Sequence, residues 1–116
     1  MICQLLILHN FAHMGHLVEM LLPLLDSSGA AFDASKFDAV KSELIKKFGG
    51  VTAFVRASAT GLWQSLHGEV QKDEIAVFEV MTDKIDDEWW AEYRKKLERR
   101  FEQDEIVVRA TEIRRL

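Results

Sequence analysis

Four ionisable residues stand inside segments whose alternating pattern reads as strand: Glu19 in "HLVEMLL", Arg56 in "VTAFVRA", Glu79 in "EIAVFEVMT" and Arg109 in "EIVVRATEI". Two carboxylates brought side by side can divide the work of acid and base, because the charge of one raises the pKa of the other. Carboxylates flanked by guanidiniums are equally the material of a polar recognition site. Side chains two apart on a strand share a face. If Val18, Val55, Phe78 or Val80, and Val108 or Ala110 point to a helical layer, Glu19, Arg56, Glu79 and Arg109 occupy the opposite face. The predicted order across the sheet is Arg109, Glu19, Glu79, Arg56, with Leu17, Leu21, Phe54, Val77 and Val107 around them.

Such a face has two readings. As an open surface, its charges pair across strands, each pair contributing up to about 1 kcal/mol. As a covered surface, it is a recognition or acid/base site, and its apolar surround is too large to be left wet. Trp63 belongs to the same question. It follows Gly61 in the 58–72 loop, from which it can fold back over the sheet end as a structural plug or as the wall of a small-molecule pocket. The expected ligand-binding set is therefore Glu19, Arg56, Trp63, Glu79 and Arg109, with no residue assigned to catalysis.

Other constellations carry less. His9, His13 and His16 fall at i, i+4 and i+7, the spacing of a helical metal face, but no carboxylate precedes Glu19 and His16 opens a strand. No metal site is expected. Ser58, Thr60 and Ser65 lie near His67 without a nucleophile elbow, and loop serines and threonines are ordinarily turn formers. "FGG" has no following Lys-Ser/Thr and ends a helix, the wrong pole for a phosphate. No cofactor is expected.

The chain has 116 residues, 48% hydrophobic and 29% charged, with a formal net charge of −4. That charge gives no reason to expect nucleic acid or an anionic membrane surface. The basic runs "YRKKLERRF" and "EIRRL" are interleaved with acids and read as solvated faces. A single cysteine, Cys3, allows no internal disulfide and fits a reducing, cytoplasmic setting. The apolar run Leu5 to Leu8 is too short for a signal core or a membrane span. Residues 1–13 read as a leader or upstream extension, and residues 14–116 as one domain.

The elements that must position the four charges follow from pattern and punctuation. A strand is expected from His16 to Leu25, with Pro23 near its end and "DSSG" as the turn. "DASKFDAVKSELIKKF" is an amphipathic helix with Phe37, Val40, Leu44, Ile45 and Phe48 on one face, capped by Asp33 or Ser35 and ended by a left-handed Gly49. "VTAFVRA" and "EIAVFEVMT" are the second and third strands. "DKIDDEWWAEYRKKLERRFEQ" is the second helix, its stripe made by Trp90, Tyr93, Leu97 and Phe101, with Trp89 directed to an interface. "EIVVRATEI" is the last strand. The order β-α-β-β-α-β with right-handed crossovers predicts an α+β ferredoxin-like plait: an antiparallel sheet in the order 4-1-3-2 with both helices on one face.

From about Glu19 onward the chain resembles a group of short, uncharacterised bacterial proteins with this plait, on the residues "FGGVTAFVR", "GLW", "WW" and "LERRF". More distantly, it is similar to the dimeric α/β-barrel proteins, which include cofactor-free monooxygenases and stress-responsive barrel proteins; "GHLVEML" is like the first strand of the latter. The paired-histidine segment those proteins carry after the last helix is absent. The resemblance implies no agreed activity; a homodimer is expected from the large apolar residues on the helix-free face. The functional expectation is a homodimer binding a small molecule between the sheet face and the 58–72 loop. The alternative is a non-enzymatic domain whose sheet face serves only self-association. A third reading, an enzyme, would use Glu19 and Glu79 as acid and base.

Overall fold

The computed structural model describes residues 14–56 and 74–116. They form β1 (Met14–Pro23), α1 (Ala34–Phe48), β2 (Thr52–Arg56), β3 (Ile75–Thr82), α2 (Asp87–Arg100) and β4 (Val108–Arg114). The sheet order is β2-β3-β1-β4, with every neighbouring pair antiparallel. This is the ferredoxin-like plait, with the expected 4-1-3-2 order. Residues 1–13, the 58–72 loop and Trp63, together with His9, His13 and the Ser58–His67 group, lie outside the described residues.

One face of the sheet carries both helices. Val18, Met20 and Leu22 of β1 join Ala76, Phe78 and Val80 of β3 in a core closed by Val40 and Leu44 of α1 and by Trp90, Tyr93 and Leu97 of α2. Phe101 and Ile106, just past α2, complete it. Phe101 is fully buried, its ring 5.3 Å from Phe32 and 5.1 Å from Phe37. The stripe expected on α2 is the one that packs.

The ends of α1 have local causes. The Asp33 carboxylate accepts the Ser35 amide at 2.9 Å, so Asp33 is the N-cap. Gly49 has φ 84°, and its N–H donates to the Ile45 carbonyl at 2.7 Å, closing the helix in the left-handed region. Between β1 and α1, Asp26 accepts the Ser28 and Ala30 amides at 2.9 and 3.0 Å, which holds the "DSSG" turn.

Two packing expectations are corrected. Ile45, placed on the apolar face of α1, is 45% exposed because it sits at the rim of that stripe. Val55 points to the helical side, opposite Ala76, yet is 60% exposed. β2 is an edge strand, and the helical layer covers only its beginning, where Val51 packs against the core. The first strand also ends at Pro23 rather than Leu25. No helix among the described residues is long and apolar enough to cross a membrane.

Candidate functional site

The helix-free face is made by alternate residues of all four strands. The register places Glu19 of β1 directly opposite Glu79 of β3 on one side and opposite Arg109 of β4 on the other. The two carboxylates are therefore neighbours, as expected: parity gives them the same face and the register gives them the same level. Arg109 Nε donates to Glu19 Oε1 at 3.1 Å, so one of the two acids has its cation within the chain.

Arg56 is where the predicted row fails. The β2 residue opposite Glu79 is Thr52, whereas Arg56 stands opposite Ile75. Four residues separate Thr52 from Arg56, about 13 Å along an extended strand. The row across the sheet is Arg109, Glu19, Glu79, Thr52. Alternation assigns a face to Arg56, and that face is the right one; it does not assign a level, which depends on strand register. Among the described residues the Glu79 side chain has no hydrogen-bond or ion-pair partner, and neither has the Arg56 side chain.

Around these charges the face is apolar. Val77 is buried, Leu17 and Leu21 are half-buried, and three large side chains stay open: Phe54 (44% exposed), Met81 (55%) and Val107 (47%). At the end of the sheet where α1 turns into β2, an open cleft of about 660 Å³ is lined by Leu17, Gly49, Gly50, Thr52, Glu79 and Met81, with Arg115 also at its wall. Of the expected ligand-binding residues, the cleft contains Glu79 and not Arg56.

A second polar cluster has no counterpart in the sequence reading. It lies between the helices, on the other side of the sheet. Arg100 of α2 donates to both Glu43 oxygens, Nη1 to Oε1 at 2.7 Å and Nη2 to Oε2 at 2.9 Å. Lys96 Nζ stands 2.8 Å from Oε2, and the Tyr93 hydroxyl donates to Oε1 at 2.9 Å. The Arg100 guanidinium, supported by Lys96 and Tyr93 against the opposing effect of burial, holds the Glu43 carboxyl at about 2. Burial, and then the hydrogen bond to Glu43, push the Tyr93 phenol upward. Neither group exchanges a proton near neutrality, so the cluster is a clamp between helices and not an acid/base pair. Glu43 and Arg100 are 57 positions apart, and no local signal links them.

The tryptophans are also placed. Trp90 is buried and stacks on Phe48 at 5.3 Å, while Trp89 stacks on Tyr93 at 4.8 Å. The indoles themselves meet edge to face at 4.7 Å. The Trp89 ring thus packs in the chain's own aromatic cluster, with Lys47 Nζ 5.2 Å above it. His16 directs Nδ1 to the Asp83 carbonyl at 3.2 Å, and no three His, Cys, Asp or Glu side chains among the described residues gather as a metal site. Compared with family models, with curated proteins and with solved structures, the chain finds no significant match.

Proposed function

We propose that the protein works as a homodimeric interaction domain whose helix-free sheet face is the self-association surface. The observation that carries this reading is the set of large apolar side chains, Phe54, Met81 and Val107, that stay open on one face around an intrasubunit ion pair. Apolar patches of this kind on a folded chain mark surfaces that another molecule covers. Two such sheets pack face to face about 10 Å apart, and a two-fold axis makes the same patch serve both copies. The test places an acid on each side of the molecule. Val107→Asp should convert a dimer to a monomer by light scattering, whereas Ile45→Asp, on the equally exposed helix side, should leave the dimer intact. Equal dimerisation by both variants contradicts the assignment of the face.

A small-molecule site is the second reading, and the cleft bounded by Leu17, Gly49, Gly50, Thr52, Glu79 and Met81 favours it. Its volume suits a metabolite-sized ligand. A ligand with a cationic or hydrogen-bond-donating group would find an acceptor in Glu79, with Arg115 elsewhere on the same wall and apolar sides in Leu17 and Met81. A thermal-shift screen of metabolites tests this: a ligand that binds only the folded chain raises its melting temperature by mass action. Glu79→Gln should abolish the shift given by any cationic hit.

A further inference from the structure

Resting on the sheet-face dimer proposed above, we infer that the face is keyed for a second copy of this chain by a reciprocal ion pair, Arg56 of each subunit meeting the partner's Glu79. The subunit itself sets the need. Glu19 and Glu79 are direct cross-strand neighbours, an arrangement of like charges that is unfavourable by itself. Arg109 answers Glu19 at 3.1 Å and leaves Glu79 unanswered. Arg56 holds the complementary surplus on the same face, an exposed guanidinium without an acceptor among the described residues.

The register then relates the two. Phe54 of β2 faces Val77 of β3. Glu79 lies two residues from Val77 toward one end of the sheet, and Arg56 lies two residues from Phe54 toward the other end. Each is displaced from the Phe54–Val77 pair by about 6.6 Å along the strands, in opposite directions. A two-fold axis crossing the strands at that pair exchanges the two levels. It brings the Arg56 of each copy to the level of the partner's Thr52 and Glu79, offset across the sheet from Glu79 by about one strand spacing, 5 Å, with the two sheets about 10 Å apart and the side chains reaching between them. A flexible arginine side chain covers that offset. The axis also passes through Phe54, the large apolar side chain that most needs cover at the middle of β2.

One operation therefore supplies both missing partners twice, once on each side of the axis, as a two-fold interface requires of any pair of unlike residues. A foreign partner would have to bring its own acid and base at matching positions. A small cation could satisfy Glu79 but would leave Arg56 and Phe54 as they are. The unbalanced charges and their symmetric placement favour a second copy, and they give the face specificity against copies docked in another register.

Charge reversal in trans tests the pairing. Arg56→Glu and Glu79→Arg, each alone, place like charges against each other in both contacts and should weaken dimerisation by about tenfold or more. Mixed together, the two single variants should form a heterodimer, since both of its contacts are again acid to base. Native mass spectrometry of the separate and mixed full-length variants reads this directly, with circular dichroism establishing that each is folded. Arg56→Gln and Glu79→Gln, which carry no new charge, serve if a reversed variant does not fold; each should weaken the dimer less than a reversal would. A parent dimer with either single variant dimerising as tightly as the parent overturns the pairing while leaving the sheet-face dimer standing. So does a mixture with no preference for the heterodimer. A parent that stays monomeric overturns the sheet-face dimer itself, and the pairing with it.

Discussion

Glu43 on α1 and Arg100 on α2 form a two-pronged ion pair, with both carboxylate oxygens accepting from one guanidinium at 2.7 and 2.9 Å. Planar, paired hydrogen bonds of this kind are the strong form of arginine–carboxylate contact. The pair is half-buried, and Tyr93 and Lys96 complete the hydrogen bonding of the carboxylate. It ties α1 to α2 above the core.

The pH dependence of stability follows from that pair. The Glu43 carboxyl titrates at about 2 in the folded chain against an ordinary 4.5. As pH falls, the unfolded chain takes up the proton first. The stabilisation is complete above the ordinary value and is lost as pH drops toward the folded one. The urea midpoint of the parent should therefore fall between about pH 5 and pH 2, and Glu43→Gln should flatten that fall. At neutral pH the same variant should cost about 1–3 kcal/mol. A parent and variant with parallel acid profiles would show that the clamp does not contribute.

Gly49 gives a sharper local test. Its φ of 84° lies in the left-handed region, and no atom stands within 4 Å of where a Cβ would be. The cost of a side chain there is conformational and not steric crowding. Gly49→Val should destabilise by more than about 1 kcal/mol, because a β-branched residue resists positive φ. Gly50→Ala, where there is also open space and no positive φ, should be nearly neutral. Coincident denaturant midpoints for Gly49→Val and the parent would contradict the assigned cap.

Arg109 should matter through Glu19 alone. Arg109→Ala should cost up to about 1 kcal/mol, the range of partly exposed pairs. Adding Glu19→Gln should recover most of that loss, since the double variant no longer strands the Glu19 carboxylate and also removes its repulsion with Glu79. The urea midpoints of the parent, the two single variants and the double variant give the coupling. Strict additivity would mean that the 3.1 Å contact contributes nothing.

What the sequence displays about this fold is local and periodic. Asp33 and Gly49 announce the ends of α1, and Trp90, Tyr93, Leu97 and Phe101 announce the buried stripe that continues through α2. Alternation sorts Glu19, Arg56, Glu79 and Arg109 onto one face, and the register puts all four there. The level of Arg56 was not legible. A period of two carries no information about how far one strand slides along its neighbour, and β2 is a short edge strand joined to β3 through a long connection. The Glu43–Arg100 clamp was hidden for a related reason: the partners come from different helices, and each alone looks like an ordinary charge on a solvated face. Ile45 and Val55 show the limit of pattern at a rim, where an apolar residue points the right way but the covering layer has ended.

The proposed self-association of the helix-free face is tested most directly by sedimentation of the full parent chain over a range of micromolar concentrations. The predicted result is a species of about twice the 13.3 kDa chain mass that dissociates on dilution and is lost in Val107→Asp. A single species at the 13.3 kDa chain mass at every concentration would contradict it.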